Sequence, residues 1–154
     1  MCIRDRHRTV RLKNGIAFGY INGNLFIKLP SGRKLCYWNA HLKMDPRGGR
    51  EHIVYMGVNQ ETKQWGETET YGGKLVENIT QAIARDCLAI SMQRVAALGY
   101  NIVMHVHDEM IVDVPIEDTD ALERINACMG EAIPWAPGLP LRGDGYETPF
   151  YMKD

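Results

Sequence analysis

The 154-residue chain contains no run of about 18 apolar residues, the length a helix needs to cross a bilayer, so no membrane span is expected. Its N-terminus lacks the apolar core of a secretory signal. None of the four cysteines, Cys2, Cys36, Cys87 and Cys128, forms a Cys-x-x-Cys pair. Metal-site spacing of that kind is therefore absent, and we expect a reducing, cytoplasmic compartment. An excess of one charge is missing too: 18 Lys and Arg face 19 Asp and Glu, a formal net charge of −1. The global basic footprint of many nucleic-acid-binding domains is thus not there, and any such role must rest on local features. No internal repeat or low-complexity tract occurs. What remains is an ordinary globular composition, 45% hydrophobic and 24% charged, in a chain long enough to bury a core.

Two halves with different periods follow one another. Residues 1–6 are short, basic and without periodicity, and read as an unstructured or foreign leader. Residues 7–70 read as a β-rich segment. Ile16–Tyr20 and Asn24–Leu29 flank Asn22-Gly23, a strong hairpin-turn signal. Pro30–Arg33 is a second turn, followed by a strand at Lys34–Trp38. His52–Met56 and Trp65–Tyr71 read as a further strand pair, and Arg47–Arg50 as a loop before it.

At Gly72-Gly73 the period changes to that of a helix, expected over Lys74–Leu98 and ended by Gly99. Val76, Ile79, Ile83, Cys87 and Ile90 recur at three- and four-residue steps and form its expected buried stripe. Lys74, Asn78, Gln81 and Arg85 share another face. Next come an apolar strand at Asn101–Val106, the polar tip His107-Asp108-Glu109, and a returning strand at Met110–Val114. Asp118-Thr-Asp120 supplies capping residues for a second helix reaching about Ile133. A last extended segment is expected within Leu139–Thr148. The fold class is α+β, an antiparallel β-rich part followed by an α-β-β-α-β unit over residues 71–154. That order is a split β-α-β-β-α-β motif without its first strand.

Chemistry is concentrated at the hairpin tip. Adjacent carboxylates between apolar strands repel one another. They are easier to explain if a hard cation such as Mg²⁺ shares them with substrate phosphates and water. Against this stands plain turn chemistry, since Asp is common at solvated tips. His105 and His107 lie two apart and could share a transition metal, although packed or hydrogen-bonded histidines are commoner. The polar face of the helix mixes amide donors with two cations, a set suited to phosphate and base-edge contacts. A simply solvated face offers the same residues.

The order of segments adds a context that single motifs lack. Glu77–Ala89, then Asn101–Val112 with its His107-Asp108-Glu109, resembles the family A (polymerase I-like) DNA polymerases, most closely their phage-type branch. Leu29–Lys34, Trp135–Leu141 and Gly145–Tyr151 resemble the same branch, so the likeness covers roughly residues 7–154. The resemblance implies that His-Asp-Glu is motif C of the palm subdomain. It implies Asp108 as a catalytic ligand of Mg²⁺, Glu109 as the accessory acid, and His107 near the primer terminus. Gln81 would reach the minor groove of primer–template DNA, although Glu77 stands where many members have asparagine. Implied partners are primer–template DNA, deoxynucleoside triphosphates and the missing N-terminal part of the polymerase.

A two-metal site of that family also needs a second aspartate from motif A and the fingers helix of motif B. Neither is found in this sequence. Lys63 and Tyr71-Gly72 imitate the spacing of motif B, but Asn59 stands in place of its arginine and the stretch between them is β-like. We therefore expect a palm fragment with only part of the Mg²⁺ site, inactive alone, and a free sheet edge beside Ile102–His107. The alternatives are a non-catalytic DNA-binding or complementing fragment and a metal-dependent hydrolase built on His105, His107 and Asp108.

Overall fold

A computed structural model describes residues 9–44, 49, 51–59 and 61–151. The expected leader at residues 1–6, and residues 47, 48 and 50 of the expected loop, lie outside the described residues. The chain divides into two compact units, Met1–Gln81 and Ala82–Asp154, with the division inside a helix.

In the first unit, local turn chemistry builds one antiparallel sheet in sequence order. Its six strands are β1 (Thr9–Arg11), β2 (Ala17–Ile21), β3 (Asn24–Lys28), β4 (Lys34–Met44), β5 (Glu51–Val58) and β6 (Trp65–Thr70). Asn22 and Gly23 take φ of 50° and 79°, the left-handed pair that closes a two-residue β2–β3 turn and matches strand twist. β4 runs well past Trp38, where the sequence pattern ended. A bulge between Trp38 and His41 puts Asn39 at φ 49° and breaks the period-two alternation, hiding the continuation to Met44. The bulge is pinned by Asn39 N–H donating to Asn24 Oδ1 (2.8 Å) and by the Tyr20 hydroxyl donating to the Ala40 carbonyl (2.9 Å).

One sheet face supplies most of the core, with Leu25, Ile27, Tyr37 and Ala40 buried along with Leu29 beyond the end of β3, while Ala17 and Val54 are buried on the other face. Helix α1 (Gly72–Ala97) begins in this unit and buries Leu75 and Ile79. Its Asn78 amide donates to the Tyr37 hydroxyl (3.0 Å), and Tyr37 meets Tyr55 edge-on at 5.0 Å between ring centroids. The expected stripe is out of phase at its start. Val76 is exposed because the buried run is Leu75, Ile79 and Ala82, one residue earlier on the helical wheel, while Ile83 and Ile90 are half-buried.

The second unit holds the rest of α1, the hairpin β7 (Asn101–Val106) and β8 (Glu109–Asp113), and α2 (Ala121–Gly130). α1 stops where the sequence demands: Gly99 takes φ 91° and its N–H bonds the Ala96 carbonyl (3.0 Å). Cys87, Leu88, Ser91 and Val95 are buried, and burial pushes the Cys87 thiol up from its usual range. Arg94 fans across the end of α2, donating to the carbonyls of Glu131 (2.9 Å) and Ala132 (2.8 Å).

α2 is shorter than expected, and Asp120 makes no side-chain capping bond. Asp118 does not cap either. Its carboxylate accepts from the Tyr100 hydroxyl (2.9 Å) and from the Arg124 guanidinium within α2, so side-chain partners outcompete the backbone cap. The last β-strand of the expected α-β-β-α-β order is not formed: residues 139–148 are irregular. Gly143 lies against the α2 backbone, where a Cβ would come within 2.7 Å of Asn126 Cα and carbonyl oxygen. Contact with a helix, in place of a sheet edge, organises this segment. The coarse fold class stands: among the described residues, an α+β chain with a six-stranded antiparallel sheet, two helices and a two-stranded sheet.

Candidate functional site

The tip of the β7–β8 hairpin is set by register. Val106 pairs with Glu109, leaving a two-residue turn of His107 and Asp108. The polar tip expected at three residues is thus tighter, with Glu109 already the first residue of β8. His107 takes φ 51°, a left-handed conformation uncommon for a non-glycine residue, and tolerated most readily by Asn, Asp and His. It turns the chain sharply enough that Asp108 stands at the apex.

Histidine, aspartate and glutamate are all exposed there. Among the described residues, no hydrogen bond or ion pair engages Asp108 or Glu109, so their oxygens are open to a ligand. Behind the tip, Val103 is bulged out of register between Ile102 and Met104. β7 pairs only with β8 among the described residues, and the free edge expected along Ile102–His107 is present.

The polar face of α1 is built as the sequence pattern indicated, but its members differ in how far they are engaged. Lys74 is exposed at the start of the helix. Asn78 is half-buried and committed to Tyr37 (3.0 Å), which leaves its amide less free for a ligand than an exposed one. Gln81 is exposed, with a long 3.4 Å contact from its amide to Glu77 Oε1. Arg85 places its two terminal nitrogens 3.2 and 3.1 Å from the ring nitrogens of His105 in β7. A neutral imidazole offers a single acceptor nitrogen, so one of these two contacts at most is a hydrogen bond. This link between helix and hairpin carries no sequence signal, since the pair is twenty residues apart with no motif between them.

His41 and His52 belong to the sheet. His41 lies 3.6 Å from Glu67, which also binds Lys43 (2.5 Å), and His52 lies 3.3 Å from Glu69. Lys43 holds the Glu67 carboxyl below its usual range, first through the hydrogen bond and then through charge. No group of three or more His, Cys, Asp or Glu side chains among the described residues is arranged to hold a metal. His105, His107 and Asp108 do not converge into a closed site. What the tip does offer is an open pair of hard oxygen ligands, the chemistry of Asp108 and Glu109, which fits part of a magnesium shell completed by phosphates and water.

The stretch around Asn59 is a hairpin connection and not a helix. Asn59 N–H bonds the Gln64 carbonyl (2.9 Å), and Asn59 Oδ1 accepts from the N–H groups of Glu61 (2.8 Å) and Thr62 (3.0 Å). The fingers-motif imitation there has no structural basis.

Fold and tip together define an α+β protein that presents an open acidic β-turn. Comparison with known proteins gives that class a specific relative. Over 152 residues the chain is 51% identical to a protein described as "DNA polymerase" from Bacillus phage SP02, covering 99% of this chain and 23% of the relative. The likeness to a phage DNA polymerase is thereby shown, and the chain spans roughly a quarter of that relative's length. No family model matches the chain. No solved structure matches it either.

Proposed function

We propose that this chain is the C-terminal palm portion of a family A DNA-directed DNA polymerase, with residues 71–154 carrying motif C. The observation that carries the reading is the exposed, unpaired Asp108-Glu109 pair on a register-fixed hairpin tip, in a chain half identical to a phage DNA polymerase. In this reading Asp108 and Glu109 donate carboxylate oxygens to Mg²⁺, and Asp108 is the principal ligand. Magnesium so bound supplies charge stabilisation for the triphosphate and acidifies the primer hydroxyl in template-directed nucleotidyl transfer.

The chain's own contribution is positional. The left-handed turn at His107 and the flanking pairs hold the carboxylates at a fixed apex, so little reorganisation is needed when phosphates arrive. His107 stands beside them as a contact to the primer terminus. Lys74, Asn78, Gln81 and Arg85 present donors along one face of α1 to the DNA, with Gln81 the least committed amide. Primer–template DNA, deoxynucleoside triphosphates and the remaining part of the polymerase are the partners this requires, and the host cytoplasm is the setting.

A chimera tests the proposal directly. The segment of the Bacillus phage SP02 protein that matches this chain is replaced by the chain, and primer extension is measured. We expect extension by the chimera and none by the isolated chain. Asp108→Asn in the chimera should lower the rate by on the order of 10²–10³ or more, the scale of losing one preorganised charge stabiliser. Unchanged extension by the Asp108→Asn chimera would remove the assignment. An inactive chimera that still binds primer–template DNA would favour the reading of a DNA-binding fragment without a catalytic role.

A further inference from the structure

The sheet face that carries Lys28, Lys34 and Trp38 is not used by the reading above; it is buried at Ala17 and Val54 and exposed elsewhere along the row described next, and its side chains follow from register. Cross-strand partners point to the same face. Arg11 pairs with Ala17, Ala17 with Lys28, and Lys28 with Lys34, so three cations from β1, β3 and β4 line one row. All three are exposed, and none is engaged in a hydrogen bond or ion pair among the described residues. The adjacent row holds Phe26, opposite Cys36. Further along, Trp38 faces Met56, and Val58 faces Trp65. The two indoles are 57% and 62% exposed on a face where Ile21 and Val58 are also open. Strand spacing and rise put Lys34 about 13 Å from Trp38, and Trp38 about 12 Å from Trp65.

Charge is segregated on this face. The acids Glu67 and Glu69 sit toward β6, where Glu67 is ion-paired with Lys43 and the rings of His41 and His52 lie beside Glu67 and Glu69. The uncompensated cations sit toward β1–β4. Exposed indoles beside a row of free cations are complementary to a polyanion whose bases are unstacked, because rings need free base faces and cations need phosphates. A duplex hides its base faces.

We infer that this open face binds single-stranded DNA, with Trp38 and Trp65 stacking on bases and Arg11, Lys28 and Lys34 contacting phosphates. Deoxyribose is favoured over ribose because reading a 2′-hydroxyl needs free polar partners. Polar partners are sparse on this face: the amide of Asn24 is committed at both ends, to the Asn22 carbonyl (3.3 Å) and the Asn39 N–H (2.8 Å), Glu67 is paired with Lys43, and the exposed Thr9 hydroxyl opposite Gly19 stands at the outer strand. The inference stands apart from nucleotidyl transfer, since none of these residues belongs to the acidic hairpin.

The test is anisotropy of a labelled oligothymidylate of about 15 nucleotides, titrated with the full chain across a salt series starting at about 50 mM. We expect saturable binding that weakens with salt. Trp38→Ala should weaken it about 5- to 100-fold, and Trp38→Phe, which keeps a ring, should retain most of it. Lys28→Ala and Lys34→Ala should each flatten the log–log salt slope by about 0.7. Arg142→Ala removes the same charge from the second unit and should leave the slope unchanged. Absence of binding at low salt overturns the inference, as does indifference to Trp38→Ala when circular dichroism shows the variant folded. Equal affinity for duplex DNA, tighter binding of oligouridylate, or burial of the face by self-association in sedimentation would each overturn it too.

Discussion

At the scale of single residues, the apex of the acidic hairpin depends on the backbone of His107 as much as on the carboxylates it presents. A left-handed φ of 51° is accessible to His and Asn but costs a β-branched residue of the order of 1–2 kcal/mol. His107→Val should therefore destabilise the chain by about that amount in urea unfolding, whereas His107→Asn should be nearly neutral. The two variants separate shape from chemistry: His107→Asn in the chimeric polymerase keeps the turn and removes only the imidazole. At Gly23, φ 79° in the β2–β3 turn makes Gly23→Ala destabilising by about 1 kcal/mol or more. These two turns differ in legibility. Asn22-Gly23 announces itself because its residue types are the ones a two-residue turn selects. His107-Asp108 is visible as a polar interruption, but its two-residue length is set by the pairing of Val106 with Glu109.

At the scale of elements, helix α1 shows how packing adjusts what periodicity proposes. Its extent follows from Gly72-Gly73 and Gly99, yet its buried line starts at Leu75 and not at Val76. One residue is about 100° of rotation, and only the neighbours of the helix decide it. The contact of Asn78 with Tyr37 is one such neighbour. Burial raises the Tyr37 hydroxyl above its usual 10.0, against a smaller lowering by the Asn78 bond. A raised pKa means that the unfolded chain ionises first. Stability linked to Tyr37 is therefore complete below pH 10 and is lost as pH climbs past the folded-state value. Tyr37→Phe should flatten that alkaline limb in thermal unfolding, while costing about 1 kcal/mol at neutral pH for the lost hydrogen bond.

The segment after α2 gives the converse case. Its extended composition suggested a strand, but the close approach of Gly143 to Asn126 fixes it as an irregular strap on the helix. Gly143→Ala must push two backbones apart, and we expect a loss of about 1–3 kcal/mol in urea unfolding, the range for overpacking.

For the whole molecule, the two units and the share of the relative they match bear on how activity is distributed. The chain matches 23% of a phage DNA polymerase, and on the proposed reading its acidic tip supplies only part of a metal site, since no group of three or more metal-ligating side chains converges among the described residues. A catalytic centre that needs two metals would then be assembled between polypeptide segments, and the carboxylates of the hairpin would gain function only on assembly. The measurable consequence is in metal affinity. The isolated chain should bind Mg²⁺ weakly, in the millimolar range of open oxygen sites. The chimera with DNA and nucleotide bound should bind it tighter by a factor that Asp108→Asn removes. Titration calorimetry on both would show it.

Residue order alone determined the turns, the change from strand to helix period at Gly72-Gly73, the hairpin and the position of its acidic tip, because each is a local choice of backbone conformation. The likeness to phage polymerases was equally open to a reader of the residues, since it lies in the order of short segments. Only the tertiary structure decided the run of β4 beyond its bulge, the phase of α1, the diversion of Asp118 from capping to Tyr100 and Arg124, and the pairing of Arg85 with His105. Each depends on at least one partner distant in sequence, whose competition with local preferences is settled by a few kcal/mol of packing and hydrogen bonding.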